Sequence, residues 1–352
     1  MNVRLSVVIL NYNGNPIVYD CLHGLFQSSY TDFELVFVDN NSSDGSLEEC
    51  QRLIGDRKLV KIIKNTENVG FTAGFHIGVN ASEGEYILML NNDAVVYPNA
   101  LEELVKFMDN NKNVGLAEGR IENIIGSEYD FSDPKIAFFL GWITEAGPHV
   151  HNSNKFSNIN RIFAPVGVWP IIRKEVYNKI GGYDLDFIHV EEIRDLSARV
   201  WIYGYEVGYV YSAVTKHVGR LTTVNLTYGS NISRNLYYHA TKNQMMLYFK
   251  NFSSVTVFKY YLPYFILKFF DLNYTLIKLG KQAFILKVNA YIWIIKNFPI
   301  IMIKRKLIQE NRVVGDKVMF KNLVKVNIKE LQNLIAVRTK YDLKTEKWIK
   351  KQ

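Results

Sequence analysis

Three polar clusters could do chemistry. Asp39 opens the run Asp39-Asn40-Asn41-Ser42-Ser43-Asp44-Gly45, directly after an apolar stretch. A carboxylate at a strand end can accept hydrogen bonds from a nucleobase or ribose, or it can cap the helix that follows. Asn91-Asn92-Asp93 closes a second apolar run. Such an oxygen cluster suits Mg²⁺ or Mn²⁺, which take oxygen ligands and bridge phosphate oxygens. Only Asp93 is anionic, so a diphosphate would supply most of the remaining charge; alone, the tripeptide reads as a turn. Glu191 and Glu192 precede Asp195 and Arg199. On a helix the last two stand at i and i+4, by default an exposed ion pair. Adjacent glutamates point in different directions, so at most one enters a given site. His217 follows an expected strand, and a lone histidine there is ordinarily structural. No Gly-x-Gly-x-x-Gly follows the first strand and no P-loop occurs, so neither of those phosphate cradles is present.

Alternating elements must position these residues. Strands are expected at 5–10, 33–38, 58–64, 86–90 and 207–214. Helices are expected at 16–28, from Gly45 to about 54, and at 72–80, 101–110 and 191–203. Alternating strands and helices signal a parallel sheet covered on both faces, and continuous apolar strands fit that burial. Ligands of such sheets bind beyond the carboxyl ends of the strands, where the first two clusters sit. Residues 120–160 carry few signals and are expected to form loops over the site. Substrate specificity is expected within 115–170, where no motif is read.

The 352 residues carry 42 Lys+Arg and 34 Asp+Glu, a net charge of +8. Residues 1–240 hold 20 basic and 28 acidic residues, a net −8; residues 241–352 hold 22 and 6, a net +16. That asymmetry divides the chain into 1–240 and 241–352 and implies different partners for each. With 22% charged and 14% aromatic residues the chain is not disordered, and Cys21 and Cys50 cannot build a disulfide framework or a four-ligand zinc site. The run Val7–Leu10 is too short for a signal-peptide core. No window of 18 uncharged apolar residues occurs, so no ordinary transmembrane helix is expected. Between 241 and 306, 11 basic residues interrupt aromatic and branched apolar runs, with Asp271 the one acid. That pattern fits helices lying in an anionic membrane interface, or an amphipathic subdomain packed on the core. Aromatics embedded in apolar runs favour lipid over bases, so no nucleic-acid partner is expected.

Five motifs in order, over roughly residues 5–220, resemble family-2 glycosyltransferases of the rhamnosyltransferase-like branch. They are Ser6-Val7-Val8-Ile9-Leu10-Asn11-Tyr12-Asn13-Gly14; Val38 to Gly45; Asn65 to Phe75, containing Asn68-Val69-Gly70-Phe71-Thr72-Ala73-Gly74; Tyr86 to Asp93; and Ile180-Gly181-Gly182-Tyr183-Asp184. The resemblance implies a GT-A fold, here with a mainly helical, basic and apolar C-terminal extension.

It also implies roles. Asn11, Asn13, Asp39, Asn68, Gly70, Gly74, Asn91 and Asn92 would line the donor. Asn91 and Asp93 would take the outer positions of a DXD-type motif, with Asp93 and His217 at a divalent metal. Gly181, Gly182, Tyr183 and Asp184 would face the acceptor. The family pattern Glu-Asp/Glu-x-Asp-Leu-x-x-Arg fits Asp195-Leu196-Ser197-Ala198-Arg199, but puts Ile193 where an acid is expected. Reading Arg194 as an insertion makes Glu192 the general base, with Glu191 and Asp195 as supporting or alternative acids. The implied reaction is an inverting transfer from a nucleotide-sugar donor to a hydroxyl of a lipid-linked or other glycan acceptor. It would occur at the cytoplasmic face of the cell membrane, with residues 241–306 on the anionic surface and Arg220 or Arg234 near the leaving group. Two alternatives stay open: a nucleotidyltransferase of similar fold, and a degenerate membrane-bound scaffold that has lost catalysis.

Overall fold

A computed structural model of the chain describes residues 3–125, 128–131, 136–139, 142–145, 157–218 and 231–325. The first strands form where apolar runs are densest: β1 (Leu5–Asn11), β2 (Phe33–Asp39), β3 (Val60–Lys64) and β4 (Tyr86–Asn91). Helices α1 (Ile17–Phe26), α2 (Ser46–Ile54), α3 (Phe71–Ala81) and α4 (Ala100–Asn110) link and flank them. Their apolar residues recur at helical spacing, as Val18, Cys21, Leu22 and Leu25 do in α1, and those faces are buried. Both cysteines are buried, and burial pushes the Cys50 thiol up to about 12.

The remaining sheet strands are β5 (Ala94–Val96), β6 (Val114–Ile125), β7 (Glu128–Phe131), β10 (Ile171–Arg173) and β11 (Glu206–His217). The main sheet runs β3-β2-β1-β4-β10-β6-β11-β5, with β7 paired to β6. β1 to β4 are mutually parallel, as expected, while β10 runs antiparallel to β4 and β6, and β5 antiparallel to β11. The chain leaves β1 for β2 and β3, then returns to place β4 on the other side of β1. That reversal is a topological switch point, where ligands of such sheets bind. The register puts Asn11 opposite Asp39, and Leu10 opposite Asn91.

Two glycines let α3 lie close on this sheet. A Cβ on Gly74 would stand 2.4 Å from Leu10 Cδ1, and one on Gly78 would stand 2.3 Å from Val8 Cγ1.

The expectation of loops over 120–160 is corrected. β6 continues to Ile125, β7 follows it, and β8 (Ile136–Phe139) and β9 (Trp142–Glu145) form a hairpin. These strands are short and their signals weak because tertiary partners supply their burial. Phe138 stacks on Phe320 at 4.8 Å and meets Tyr260 edge-on.

Short α5 (Lys174–Lys179) precedes α6 (Glu192–Ile202), and the chain ends in helices. These are α7 (Asn231–Asn251), α8 (Ser254–Tyr274), a π-helical turn (Thr275–Leu279), α9 (Lys281–Glu310) and α10 (Asp316–Phe320). β12 (Leu323–Lys325) then pairs in parallel with β8, so the chain's last described strand closes against the 136–145 hairpin. Ser253 caps α8 by accepting from the Thr256 amide. α9 lies along α7, and Tyr248 stacks on Tyr264 at 4.2 Å.

Contrary to the expectation of no membrane-length segment, α9 is long and apolar enough to cross a bilayer, with a mean hydropathy of 1.3 in its best window. Lysines interrupt its apolar runs without lowering that average enough to matter. The core helix of a soluble protein shares this length and composition, and α9 lies along α7.

Candidate active site

The head of the sheet carries an amide-rich cradle. Asn11, fully buried at the end of β1, donates to Asp39 Oδ1 (3.0 Å), Ser42 Oγ (3.1 Å) and Ser46 Oγ (2.9 Å), and accepts from Asn92 Nδ2 (3.1 Å). Asp39 Oδ2 accepts from the Ser42 amide, and Asn13 Oδ1 accepts from the Ser43 amide. Asp39 therefore holds its own turn in shape but does not cap α2, which begins at Ser46 behind Gly45 with no side-chain cap. Asn68 accepts from the Gly70 amide and from Asn40, and Gly70, at φ 87, opens α3. Gly74 faces Leu10, so its role in the fold is close packing of α3 on β1.

Strand pairing brings together two residues far apart in sequence. Antiparallel β5 and β11 set His217 opposite Ala94, and His217 Nε2 lies 3.3 Å from Asp93 Oδ2. Burial would raise the Asp93 carboxyl, but His217 holds it below its ordinary value; burial would lower His217, but Asp93 raises it. Cis ligands of an octahedral ion at 2.0–2.1 Å lie about 3 Å apart, so the pair fits two corners of one divalent ion. Oxygen plus imidazole nitrogen suits Mn²⁺. Among the described residues no third His, Cys, Asp or Glu joins them. Diphosphate and water would have to complete the shell.

Glu118 was not anticipated. Buried on β6, it accepts from the backbone amides of Val166 (2.7 Å), Gly167 (3.1 Å), Val168 (2.8 Å) and Trp169 (2.9 Å). This loop joins the two sides of the site: Val168 O accepts from the Asn91 amide, and Gly167 rests on Ile193 of α6. A Glu following the apolar start of the strand, Val114-Gly115-Leu116-Ala117, was the available signal.

Helix α6 carries the acids. Glu192 is its first residue and is only 9% exposed, and its Oε2 has no hydrogen-bond partner. Burial pushes its carboxyl up to about 7, and nearby Glu191 adds to the rise. Glu191 Oε1 accepts from Arg194 (2.6 Å) and Gln244 (3.4 Å), while its Oε2 is buried and unpartnered. Arg194, the residue read as inserted, therefore pairs with Glu191, and Ile193 is core.

The Asp195–Arg199 pair is a correction. It is buried, not exposed: Arg199 donates to Asp195 Oδ2 at 2.7 and 3.0 Å, and Asn251 and Lys250 reach Oδ1 at 2.7 and 2.8 Å. With both oxygens engaged, Asp195 is not an alternative base. Arg199 also donates to Ile180 O and Gly182 O, so the Gly181-Gly182 turn, at φ 80 and 63, buttresses α6. Tyr183 is buried beside Glu192, and burial raises its phenol well above the usual value. Asp184 is not free toward an acceptor: Lys250 pairs with it, and Lys304 lies 2.5 Å from it and 2.6 Å from Asp186.

The basic tail is thus partly spent on the acidic half. Lys250 is 1% exposed and pairs with Asp184, and Lys242 donates to Asp186 O. The unbalanced charges of the two halves were the sequence signal for these contacts. Arg220, and the side chain of Arg234, lie outside the described residues.

Known proteins resemble the chain in sequence and in fold. Residues 6–179 match the model of glycosyl transferase family 2. The glycosyltransferase GlyG of Streptococcus pneumoniae is 26% identical over 140 residues, 40% of this chain and 44% of that one. The chain spans under half the length of the first curated relatives it matches. In solved structures, Staphylococcus aureus TarS 1–349 in complex with UDP-GlcNAc superposes with a TM-score of 0.55 at 15% identity, over 82% of this chain and 79% of that one. GalNAc-T7 with UDP, GalNAc and Mn²⁺ gives 0.52 at 17%, over 69% and 51%. These likenesses concern the fold, a nucleotide-sugar-binding α/β sheet of GT-A type with flanking helices. Sheet order and family match converge, and through residues 6–179 the chain belongs to glycosyl transferase family 2.

Proposed function

We propose that the chain is an inverting glycosyltransferase that moves a sugar from a nucleoside-diphosphate donor to a hydroxyl of a lipid-linked or membrane-located glycan. The observation that carries this is Glu192: a buried carboxylate with one unpartnered oxygen, pushed up to about 7, at the start of the helix that meets the donor strand through the 166–169 loop. A base poised near neutral pH takes a proton efficiently from an attacking hydroxyl.

The base and ribose of the donor would lie on the Asn11–Asp39–Asn68 cradle, with the diphosphate toward Asn91, Asn92 and Asp93. Asp93 and His217 would hold Mn²⁺ or Mg²⁺, which when bound stabilises charge on the departing diphosphate. The Gly181–Asp184 turn forms the acceptor side by supporting α6 and seating Tyr183 beside Glu192. Glu192 takes the acceptor proton as the oxygen attacks the anomeric carbon from the face opposite the leaving group, which inverts that carbon.

Residues 1–240 are the transferase unit and 241–352 the membrane-associating region, though Lys250 and Lys304 bind the two into one folded body. α8 exposes Val255, Phe258, Leu262, Ile266, Phe269 and Phe270, and α9 exposes Ile295, Ile300, Ile303 and Leu307. An apolar face of this size marks an interaction surface. Because the other face of α9 is tied to Asp184 and Asp186 through Lys304 and to the end of α7 through Arg305, in-plane association at the cytoplasmic leaflet is favoured over a span.

The test is nucleoside diphosphate release from a panel of UDP- and GDP-sugars with Mn²⁺, with and without a membrane lipid extract. Release from one donor, stimulated by the extract, supports the reading. No release from any donor with extract and Mn²⁺ present contradicts it.

A further inference from the structure

The residues leading into α6 are held in a backbone conformation that their side chains disfavour. Val190 has φ 59 and Glu191 has φ 66, two consecutive non-glycine residues in the left-handed region. For a β-branched residue such as valine this is a genuine outlier, and such outliers persist only where the surroundings over-determine them. The surroundings here come from α7. Asn243 is fully buried, and its Nδ2 donates to His189 O at 2.8 Å and to Val190 O at 2.7 Å. One planar amide thus ties two successive carbonyls. Because both partners are acceptors, only the amide nitrogen can face them; the oxygen there would meet two carbonyl oxygens. Next along α7, Gln244 reaches Glu191 Oε1 at 3.4 Å.

We infer that Asn243 is a positioning residue of the transferase: its amide holds the 189–191 turn left-handed and so fixes the direction in which Glu192 leaves the start of α6. The inference rests on Glu192 as the base. Asn243 lies beyond the matched family region, so the helical extension supplies part of the scaffold that aims the base. The groups near Glu192 are Glu191 and Arg194 on its own element and Tyr183 from the acceptor turn. None of them holds the turn's two carbonyls.

The test couples two substitutions, read as UDP or GDP release from the donor that supports turnover. Asn243→Ala is expected to lower kcat by about 10- to 100-fold, with the donor KM within about twofold, because misaimed groups lose rate rather than donor affinity. The acid limb of kcat/KM should move down from about 7 as the loosened turn admits water to Glu192. Val190→Gly removes the strain, since glycine adopts φ 59 freely. In that background Asn243→Ala should cost less than about threefold, a coupling that independent effects would not show. Met246→Ala, a buried change on the same helix, should lower stability and leave the acid limb in place.

Equal losses from Asn243→Ala with valine or glycine at 190 would overturn the inference. Insolubility of Asn243→Ala in both backgrounds would assign Asn243 to the fold at large and overturn it too. Glu192→Gln, run in parallel, separates the two claims. If it keeps turnover, the base assignment fails; if it is dead while Asn243→Ala is normal, the positioning claim alone fails.

Discussion

Lys250, from the basic C-terminal helices, lies 2.8 Å from Asp195 of the acid-bearing helix, and both side chains are 1% exposed. The same ammonium pairs with Asp184 of the Gly181–Asp184 turn. Burial would raise both carboxyls, but Lys250 leads the groups that hold them below their ordinary values. Their contribution to stability is therefore present above the unfolded carboxyl pKa and is lost as pH falls through the lower folded values.

Lys250→Met leaves two buried carboxylates short of their cation. The expected loss is about 3–5 kcal/mol at neutral pH, measured by denaturant unfolding. The loss should shrink toward pH 4, where the freed carboxyls protonate. A loss independent of pH would show that packing, not charge, is what Lys250 supplies.

Asp93→Asn should remove the response to metal while the fold survives. In the native chain, UDP or GDP with Mn²⁺ at about 100 times Kd should add about 2.7 kcal/mol of stability. The variant should gain little from adding Mn²⁺ to the nucleotide. Protons compete with metal for His217 Nε2, and Asp93 raises that imidazole, so Mn²⁺ binding should weaken on acidification beginning above pH 6.5. Metal stabilisation unchanged in the variant would exclude the pair as ligands.

Glu118→Gln replaces an acceptor-only group with one that carries two N–H bonds of its own. At least one loop amide among Val166–Trp169 then loses its partner, at about 1–3 kcal/mol for each. Thermal unfolding should show the loss, and turnover should fall with it because this loop joins Asn91 to Ile193.

The membrane surface is tested by substitution, because deleting the tail would also remove Lys250. Phe258→Ser with Phe269→Ser alters two rings that are 88% and 63% exposed. Each should weaken flotation with anionic liposomes by about tenfold or more, from the 1.5–3 kcal/mol of a buried phenyl side chain. Undiminished flotation would place the membrane contact elsewhere.

The transferase half was legible because its chemistry is local. Asp39, Asn91 and Asp93 sit at the ends of apolar runs, and the sheet placed them at its carboxyl edge. His217 was found by resemblance alone; its contact with Asp93 depends on a strand pairing that no local pattern records. The 136–145 hairpin was missed because the burial of its Phe138 comes from Phe320, Phe252 and Tyr260, distant in sequence. Lys250, Asn243 and Lys304 were hidden for a related reason. On a lone helix they look like solvated or lipid-facing polar residues, and only the packing of α7 and α9 on α6 and the Gly181–Asp184 turn turns them inward. The exposed reading of Asp195 and Arg199 failed on the same packing.

Turnover by Glu192→Gln measures the central claim most directly. The substitution keeps shape and removes the proton acceptor. The expected outcome is a fall in kcat of about 10²- to 10⁴-fold, the usual worth of a general base, with Mn²⁺-dependent nucleotide binding intact. Near-normal kcat in this variant would contradict the account.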